Sequence, residues 1–321
     1  MEKKKVILDV DTGTDDAIAI MTAVMSENLE VLGVCAVNGN RGIDFTTENT
    51  LRVVEYLGKD IPVFRGCSLP MVVSLTEGRR EDIPYKGPKD PQDNVHGDYI
   101  DLPPATIQEQ PVSAVRWLVD TLMASEGDIT LIPVGPLTNI AMALRIEPRI
   151  AQKIKKIVIM GGGYKEVNIT PTAEFNFWID PEAAKIVFDC GCDILVVPLD
   201  ATHAAAVSIR TAEALERKGT KPATLTARII RQRQNAYKHW QPMADIDSVP
   251  VHDALAVCAV LDESVLGPVV ETYADVDIGK GAADGMSIFD LDNRYKDRKK
   301  NVKVALGADP ERFADMLLNI L

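Results

Sequence analysis

From Lys4 onward, short apolar runs rich in β-branched residues alternate with segments of helical periodicity, and no other feature of the chain restricts its fold as strongly. KKVILDV, LEVLGVCAV and IPVFRG read as strands, and DDAIAIMTAVMSE and FTTENTLRVVEYLG between them read as helices. The pattern resumes with helix PVSAVRWLVDTLMASE, strand DITLIPV, helix LTNIAMALRI, strand IKKIVIM, helix PEAAKIVFDC and strand DILVVPL. Parallel strands need long crossovers, and helices supply them. The alternation therefore predicts an α/β fold with an open, mostly parallel, doubly wound sheet and flanking helices. The last third is mixed: a helix through RIIRQRQNAYKHW, strands near VVETYADVDI and NVKVAL, and a final helix DPERFADMLLNIL make an α/β C-terminal extension. At 321 residues and 46% apolar content the chain can bury a large core, as one big domain or two smaller ones. Residues 76–104, rich in Pro, Gly and charge, form a loop of a length that in compact domains is usually functional or disordered.

Charge excludes some partners. A net charge of −12 argues against nucleic acid, because phosphate contacts need clustered Lys and Arg. The basic start MEKKK is followed by an apolar run of only Val6 to Leu8, too short for a signal peptide, and no stretch approaches a membrane span. A soluble, cytoplasmic protein without membrane partners is expected. Cys35, Cys67, Cys190, Cys192 and Cys258 form an odd set with no CxxC pair, and they read as reduced core residues.

The segment DVDTGTDD, residues 9–16, places four aspartates at the junction of the first strand and the first helix, where α/β sheets gather their ligands. Helix capping by Asp15 and a favourable dipole at Asp16 account for two of them but leave Asp9 and Asp11 unexplained. Carboxylates packed so closely repel unless they share protons or a cation neutralises them. Ca²⁺ suits several carboxylates with carbonyls and water, whereas Mg²⁺ demands a stricter octahedron. An EF-hand loop fails, because Gly13, Thr14 and Ile20 stand where Asp or Asn, Gly and an acid are needed. The DxDx(T/V) phosphatase motif begins correctly at Asp9 and Asp11 but meets Gly13 at its last position.

Further polar clusters follow later strands: Asn38 and Asn40 in VNGN, the VGPLTN segment, and MGGGY, whose glycines fit a tight turn better than GxGxxG because Glu166 holds the last position. NITPTAEFNFWIDPEA places Asn168, Glu174 and Asn176 in a polar loop before a helix, a donor set suited to a hydroxyl-rich ligand such as a sugar. Turn formation alone also accounts for Asn168 and Asn176. PVHDALAV sets His252 and Asp253 at the start of an apolar helix, where helix capping and packing are the ordinary roles.

DVDTGTDD, VNGN, GPLTN, MGGGY, NITPTAEFNF and VHDALAV, in this order, resemble the inosine-uridine preferring nucleoside hydrolase family from residue 6 to the C-terminus. The resemblance implies one nucleoside hydrolase domain over 1–321 and Ca²⁺-dependent cleavage of the N-glycosidic bond of ribonucleosides to ribose and free base. It implies that Asp11 is both metal ligand and general base, and that Asp16, Asp253 and the Val134 carbonyl complete the protein's share of the metal shell. Asp15, Asn40, Asn168, Glu174 and Asn176 match positions that hold ribose hydroxyls. Met160 matches an apolar contact beneath the sugar, His252 the leaving-group histidine, and His96 a substrate contact in the flexible loop. Asp9 is expected behind these, orienting its neighbours. Water attacking one face of the ribose while the base departs from the other is an inverting arrangement. A small-molecule nucleoside partner and a homodimer or homotetramer are further implications. Thr12 stands where proline is usual, Asn38 replaces a small residue, and Val134 replaces a common threonine at a position that uses its backbone. VHGDYID keeps His96 and Gly97 but not the residues that usually follow, leaving base preference open. Tyr237, His239 and Trp240 could stack on the base or simply pack. Hydrolysis of another ribosyl compound and non-catalytic ribose or nucleoside binding are the alternatives.

Overall fold

The computed structural model describes residues 2–80, 85–88, 94–241 and 243–321, with the Trp240 side chain excepted, so parts of the 76–104 loop and the expected Trp240 contact lie outside the described residues. Strands β1 (Lys4–Val10), β2 (Leu29–Ala36), β3 (Val63–Arg65), β4 (Ile129–Pro133), β5 (Ile154–Met160) and β6 (Ile194–Val197) alternate with helices. These are α1 (Thr14–Met25), α2 (Ile43–Leu57), α3 (Ala114–Ala124), α4 (Thr138–Ile146), α5 (Phe175–Ile179) and α6 (Pro181–Phe188). The chain continues through α7 (Leu199–Ala204), β7 (Val207–Ser208), α8 (Ile209–Lys218), α9 (Lys221–Trp240), β8 (Ser248–Val249) and α10 (His252–Leu261). It ends with β9 (Val269–Thr272), β10 (Ala274–Val276), β11 (Ser287–Phe289), β12 (Val302–Ala305) and α11 (Pro310–Ile320).

One sheet runs β3-β2-β1-β4-β5-β6-β12-β9, parallel throughout except for the antiparallel pairing of β12 with β9. Leu8 lies opposite Val34 of β2 on one side and Ile132 of β4 on the other. The chain winds outward from β1 to β3, then returns to β4 and winds the other way. The strand order thus reverses between β1 and β4, the position where an open α/β sheet leaves a crevice at its carboxyl edge.

The strand sequences explain why both faces are covered. Val6, Leu8 and Val10 enter one core with α1, α9 and α10, whereas Ile7 enters the other with α3, α4 and α6. Val158 and Met160 against Ile157 and Ile159 repeat the division in β5. Continuous apolar runs, rather than alternating ones, are what a strand buried on both sides requires. Helix α1 is buried from Thr14 to Ala23 because it is wedged against α10 and not laid on the surface. Each of its fully buried Ile18, Ile20 and Met21 side chains contributes about 1.5–3 kcal/mol.

Several local expectations change. Helix α9 starts at Lys221, well before RIIRQ, because the Thr220 hydroxyl accepts from Ala223 N (3.2 Å) and Pro222 fits the first turn. The expected polar loop of NITPTAEFNFWIDPEA contains the short α5. Cys35 and Cys258 are core residues, but Cys67, Cys190 and Cys192 are only half-buried, the last two because the chain turns at the surface between α6 and β6. No helix among the described residues is long and apolar enough to cross a membrane.

Candidate active site

Asp11 follows the last residue of β1, and its carboxylate is fixed from three sides. Oδ2 accepts from the Asn40 backbone N–H at 2.7 Å. Gly39 and Gly135 flank it so closely that a Cβ on either would lie 2.2 Å from Oδ2 or 2.6 Å from Oδ1. Asp16 turns back over the start of α1, accepting from Gly13 N (2.9 Å) and Asp11 N (3.1 Å). It, and not Asp15, caps that helix. The Asn40 amide also donates to Asp16 Oδ2 and to the Asp11 carbonyl, both at 3.3 Å. Asp253, in the first turn of α10, closes the group from the opposite side. Carboxylate oxygens of Asp15, Asp16 and Asp253 lie within 4.8 Å of one another, all buried. Asp11, expected in that trio, instead adjoins it through a hydrogen bond with Asp16, because its own carboxylate is turned toward Asn40.

Electrostatics follow from this crowding. Burial and then the charge of Asp16 hold the Asp11 carboxyl well above its ordinary range, and burial and then the charge of Asp15 push Asp16 up to about 6. Burial, then the charges of Asp15, Asp16 and Asp11, raise Asp253 likewise. Asp15 goes the other way: burial, the largest single influence, would raise it, but the Arg233 guanidinium 2.9 Å away together with His96 and His252 outweighs burial and holds it below its ordinary range. One guanidinium against four carboxylates leaves a strong negative excess. An all-oxygen donor set of that kind fits a hard divalent cation. The Val134 carbonyl, at the end of β4, accepts from Asn176 Nδ2 at 2.7 Å and retains a second lone pair.

The remaining expected residues line the same pocket: Asp15, Asn40, His96, Met160, Asn168, Glu174, Asn176 and His252 join Asp11, Val134 and Asp253. Glu174 is the N-cap of α5: Oε1 accepts from Asn176 N (2.8 Å), and Oε2 accepts from Phe177 N (3.2 Å) and from Gly162 N of the MGGGY turn (2.8 Å). Gly162 has φ +72, so the turn that aims this N–H favours glycine. Burial still pushes Glu174 up to about 7. Asn168 Oδ1 accepts from Phe175 N (2.9 Å), which ties the preceding loop to α5. His96 approaches over Gly13, where a Cβ would lie 2.2 Å from Nδ1, and that nitrogen accepts from Thr14 N at 3.2 Å. Burial pulls its pKa down to about 4.

Both ring nitrogens of His252 are engaged, Nδ1 with the Thr202 hydroxyl and Nε2 with the Tyr237 hydroxyl, each at 2.7 Å. Burial and the Arg233 charge hold its pKa well below the ordinary value. The ring meets the pocket as half of a Tyr237–His252 pair. His239 is exposed, and among the described residues it is not part of the pocket wall.

Asp9 departs from its expected role. Its side chain points to the other face of the sheet, where Oδ2 accepts from Asn139 Nδ2 (2.8 Å), and that amide also reaches the Ala36 carbonyl and Cys67 N. Asp9 thus clasps the ends of β2 and β3 and not the acidic cluster, and burial pushes it up to about 8. The Thr12 hydroxyl bonds that of Thr50 on α2 at 2.7 Å, a structural use of the position. Nothing in the structure explains Asn38, whose buried amide has no partner among the described residues.

Sequence reasoning missed Arg233, Arg41 and the aromatic pair Tyr85–Phe175 at the pocket, whose ring centroids are 5.2 Å apart, and Thr202 behind His252. Arg233 alone carried a signal, since its i,i+4 spacing to Tyr237 puts both on one helical face. It is buried and also bonds the Thr14 hydroxyl (2.9 Å) and the Pro250 carbonyl (3.1 Å), joining α9 to the starts of α1 and α10.

A family model described as inosine-uridine preferring nucleoside hydrolase matches residues 6–315. A pyrimidine-specific ribonucleoside hydrolase, RihB, of Escherichia coli is 37% identical over 318 residues, covering 98% of this chain and 95% of that protein. The solved structure of a purine-preferring ribonucleoside hydrolase from Gardnerella vaginalis superimposes with a TM-score of 0.84 at 27% identity, covering 98% and 97% of the two chains. A plant nucleoside hydrolase gives the same TM-score at 31% identity, covering 98% of each.

Proposed function

The chain belongs to the inosine-uridine preferring nucleoside hydrolase family and is a ribonucleoside hydrolase, and we propose that it works with Ca²⁺, through water activated by Asp11. The carboxylates of Asp11, Asp16 and Asp253, with the Val134 carbonyl, would hold the ion, and Asp15 stands within reach. Bound there, Ca²⁺ would neutralise the carboxylates and make a neighbouring water more acidic. The observation that carries this reading is the convergence of buried Asp15, Asp16 and Asp253 oxygens within 4.8 Å on the wall of the pocket.

The chain's own groups divide the work. Asp11, its carboxylate held in place by the Asn40 backbone N–H, takes the proton of the attacking water. Asp15, Asn40, Asn168, Glu174 and Asn176 hold the ribose hydroxyls, and Met160 packs beneath the ring. The leaving base is met by the Tyr237–His252 pair: the phenol hydroxyl, held by His252 Nε2, gives its proton to the departing base, and water returns a proton to the phenolate once the base has left. Water entering from the carboxylate side and base departing on the other invert the anomeric centre.

We read residues 1–321 as one domain, because β12 and β9 of the C-terminal part complete the central sheet. A cytoplasmic homodimer or homotetramer remains our expectation, checked by fractionation and light scattering. Relatives named for pyrimidine and for purine nucleosides leave the base open. Reducing-sugar release from inosine, uridine, cytidine, adenosine and nicotinamide riboside decides it: a common nucleoside cleaved fastest supports the reading, and cleavage of nicotinamide riboside alone overturns it.

A further inference from the structure

We propose that Arg41 is a positioning residue, whose guanidinium holds the turn carrying His96 in the pocket wall; the role rests on the nucleoside hydrolase reading of that pocket. Arg41 follows Asn40 at the end of the VNGN segment, and its side chain is only 5% exposed. Nη1 donates to the Asn40 carbonyl (2.7 Å), Nη2 to Asn94 Oδ1 (2.9 Å) and Nε to Asp98 Oδ1 (2.8 Å). A planar fork of fixed donors suits three acceptors in three directions, as the point charge of a lysine does not. Asp98 is 62% exposed, so the ion pair itself adds little, and what the guanidinium supplies is geometry.

The segment it grasps is a single turn around His96. Asn94 Oδ1 accepts from Gly97 N (2.9 Å) as well as from Arg41, and Gly97 has φ +69, in the left-handed region that glycine tolerates. His96 stands inside that turn, with Nδ1 accepting from Thr14 N at 3.2 Å and lying 3.6 Å from Asp15 Oδ1. Arg41 thus fixes from behind the residue that Thr14 and Asp15 meet from the pocket. Gly87, with φ +90, rests on the same group so closely that a Cβ would lie 2.3 Å from Nη1. Pro88 and Val95, next to these contacts, line the pocket with His96.

The surroundings of this clasp have anchors of their own. Asn49 on α2 donates to the Asp98 carbonyl (3.1 Å) and accepts from Ile100 N (3.0 Å), and the Arg52 guanidinium lies 4.4 Å from the Tyr99 ring centre. Upstream, Arg79 and Arg80 both pair with buried Asp284 at 2.8 Å. Asn40 is held through its N–H by Asp11 and through its amide by Asp16. Loss of Arg41 therefore frees Gly87 and residues 94–97 while the fold and the acidic cluster stay in place.

Arg41→Ala tests this at the level of single residues. Full-length wild-type and variant proteins are treated with diethyl pyrocarbonate, and modification of the four histidines is read by peptide mass. His96, whose side chain is 22% exposed, should react about fivefold faster once its turn is released. Exposed His239 should react equally in both proteins, and buried His252 should stay protected in both. In parallel, kcat/KM for the best nucleoside should fall about tenfold in Arg41→Ala, but less than about twofold when the same change is made in a His96→Ala background, because residues that act through one another do not add. Unchanged His96 reactivity, losses that multiply across the two changes, or a His252 that becomes reactive together with His96 would each overturn the positioning role. Selective release of His96 in a protein that cleaves no nucleoside would uphold the clasp and overturn the functional reading instead.

Discussion

Gly39→Ala should disable the enzyme through one displaced carboxylate. Gly39 is not in the left-handed region, so alanine fits its backbone, and the whole effect comes from the added methyl. That carbon would lie 2.2 Å from Asp11 Oδ2, 2.7 Å from its Cγ and 2.8 Å from its Cβ. Reaching an ordinary contact of 3.4 Å requires Oδ2 to move by at least about 1.2 Å. The move breaks the 2.7 Å bond from Asn40 N, a charged hydrogen bond worth about 1.5–3 kcal/mol. It cannot be absorbed on the far side, where Gly135 already packs against Oδ1. A misplacement of roughly 1 Å in a reacting group costs about 10² in rate, so kcat for ribose release at saturating nucleoside should fall about a hundredfold. Thermal unfolding run beside it should still show a cooperative transition, lowered by the lost hydrogen bond. A folded Gly39→Ala protein with wild-type kcat would refute the link between the position of Asp11 and turnover.

Three other perturbations separate the remaining roles. Asp11→Asn keeps the size and one oxygen but removes the base, so turnover should fall by about 10²–10⁴ with the fold intact; unchanged turnover would remove Asp11 from the chemistry. His252→Ala and Tyr237→Phe should each slow inosine hydrolysis by about 10² while largely sparing a nitrophenyl riboside, whose leaving group needs no proton; equal losses on both substrates would make the pair structural. Glu174, pushed up to about 7, takes a proton as pH falls through that value and loses capacity to accept from ribose hydroxyls. Wild-type kcat/KM should therefore decline on the acid side of about pH 7, and Glu174→Gln, which cannot titrate, should show a plateau lowered about ten- to hundredfold with that limb absent. A limb that persists in Glu174→Gln belongs to another group.

The sheet was legible because its strands are buried on both faces and its crossovers are amphipathic, so each element wrote its own period into the chain. DVDTGTDD was legible for a different reason: no ordinary helix start needs four acids. The directions of those acids were not. Asp9 and Asp11 differ by two and leave neighbouring positions of one strand end, yet Asp9 turns to Asn139 across the sheet and Asp11 to Asn40, a choice made by the loops after β2, β3 and β4. Helix α5 is five residues long, too short to show a period, and Glu174 caps it only because the MGGGY turn delivers Gly162 N to the same carboxylate. Strands β7 and β8, two residues each, carry no pattern at all. Arg233 sits on the buried face of α9, and it is the tertiary approach of Asp15, the Thr14 hydroxyl and the Pro250 carbonyl that makes a buried cation there favourable.

Metal content and turnover measured on the same preparation test the central claim most directly. The purified protein should carry one tightly held Ca²⁺ per chain, lose ribose release when a chelator strips the ion, and regain it when Ca²⁺ is restored. A metal-free protein that hydrolyses nucleosides at the full rate would contradict the account.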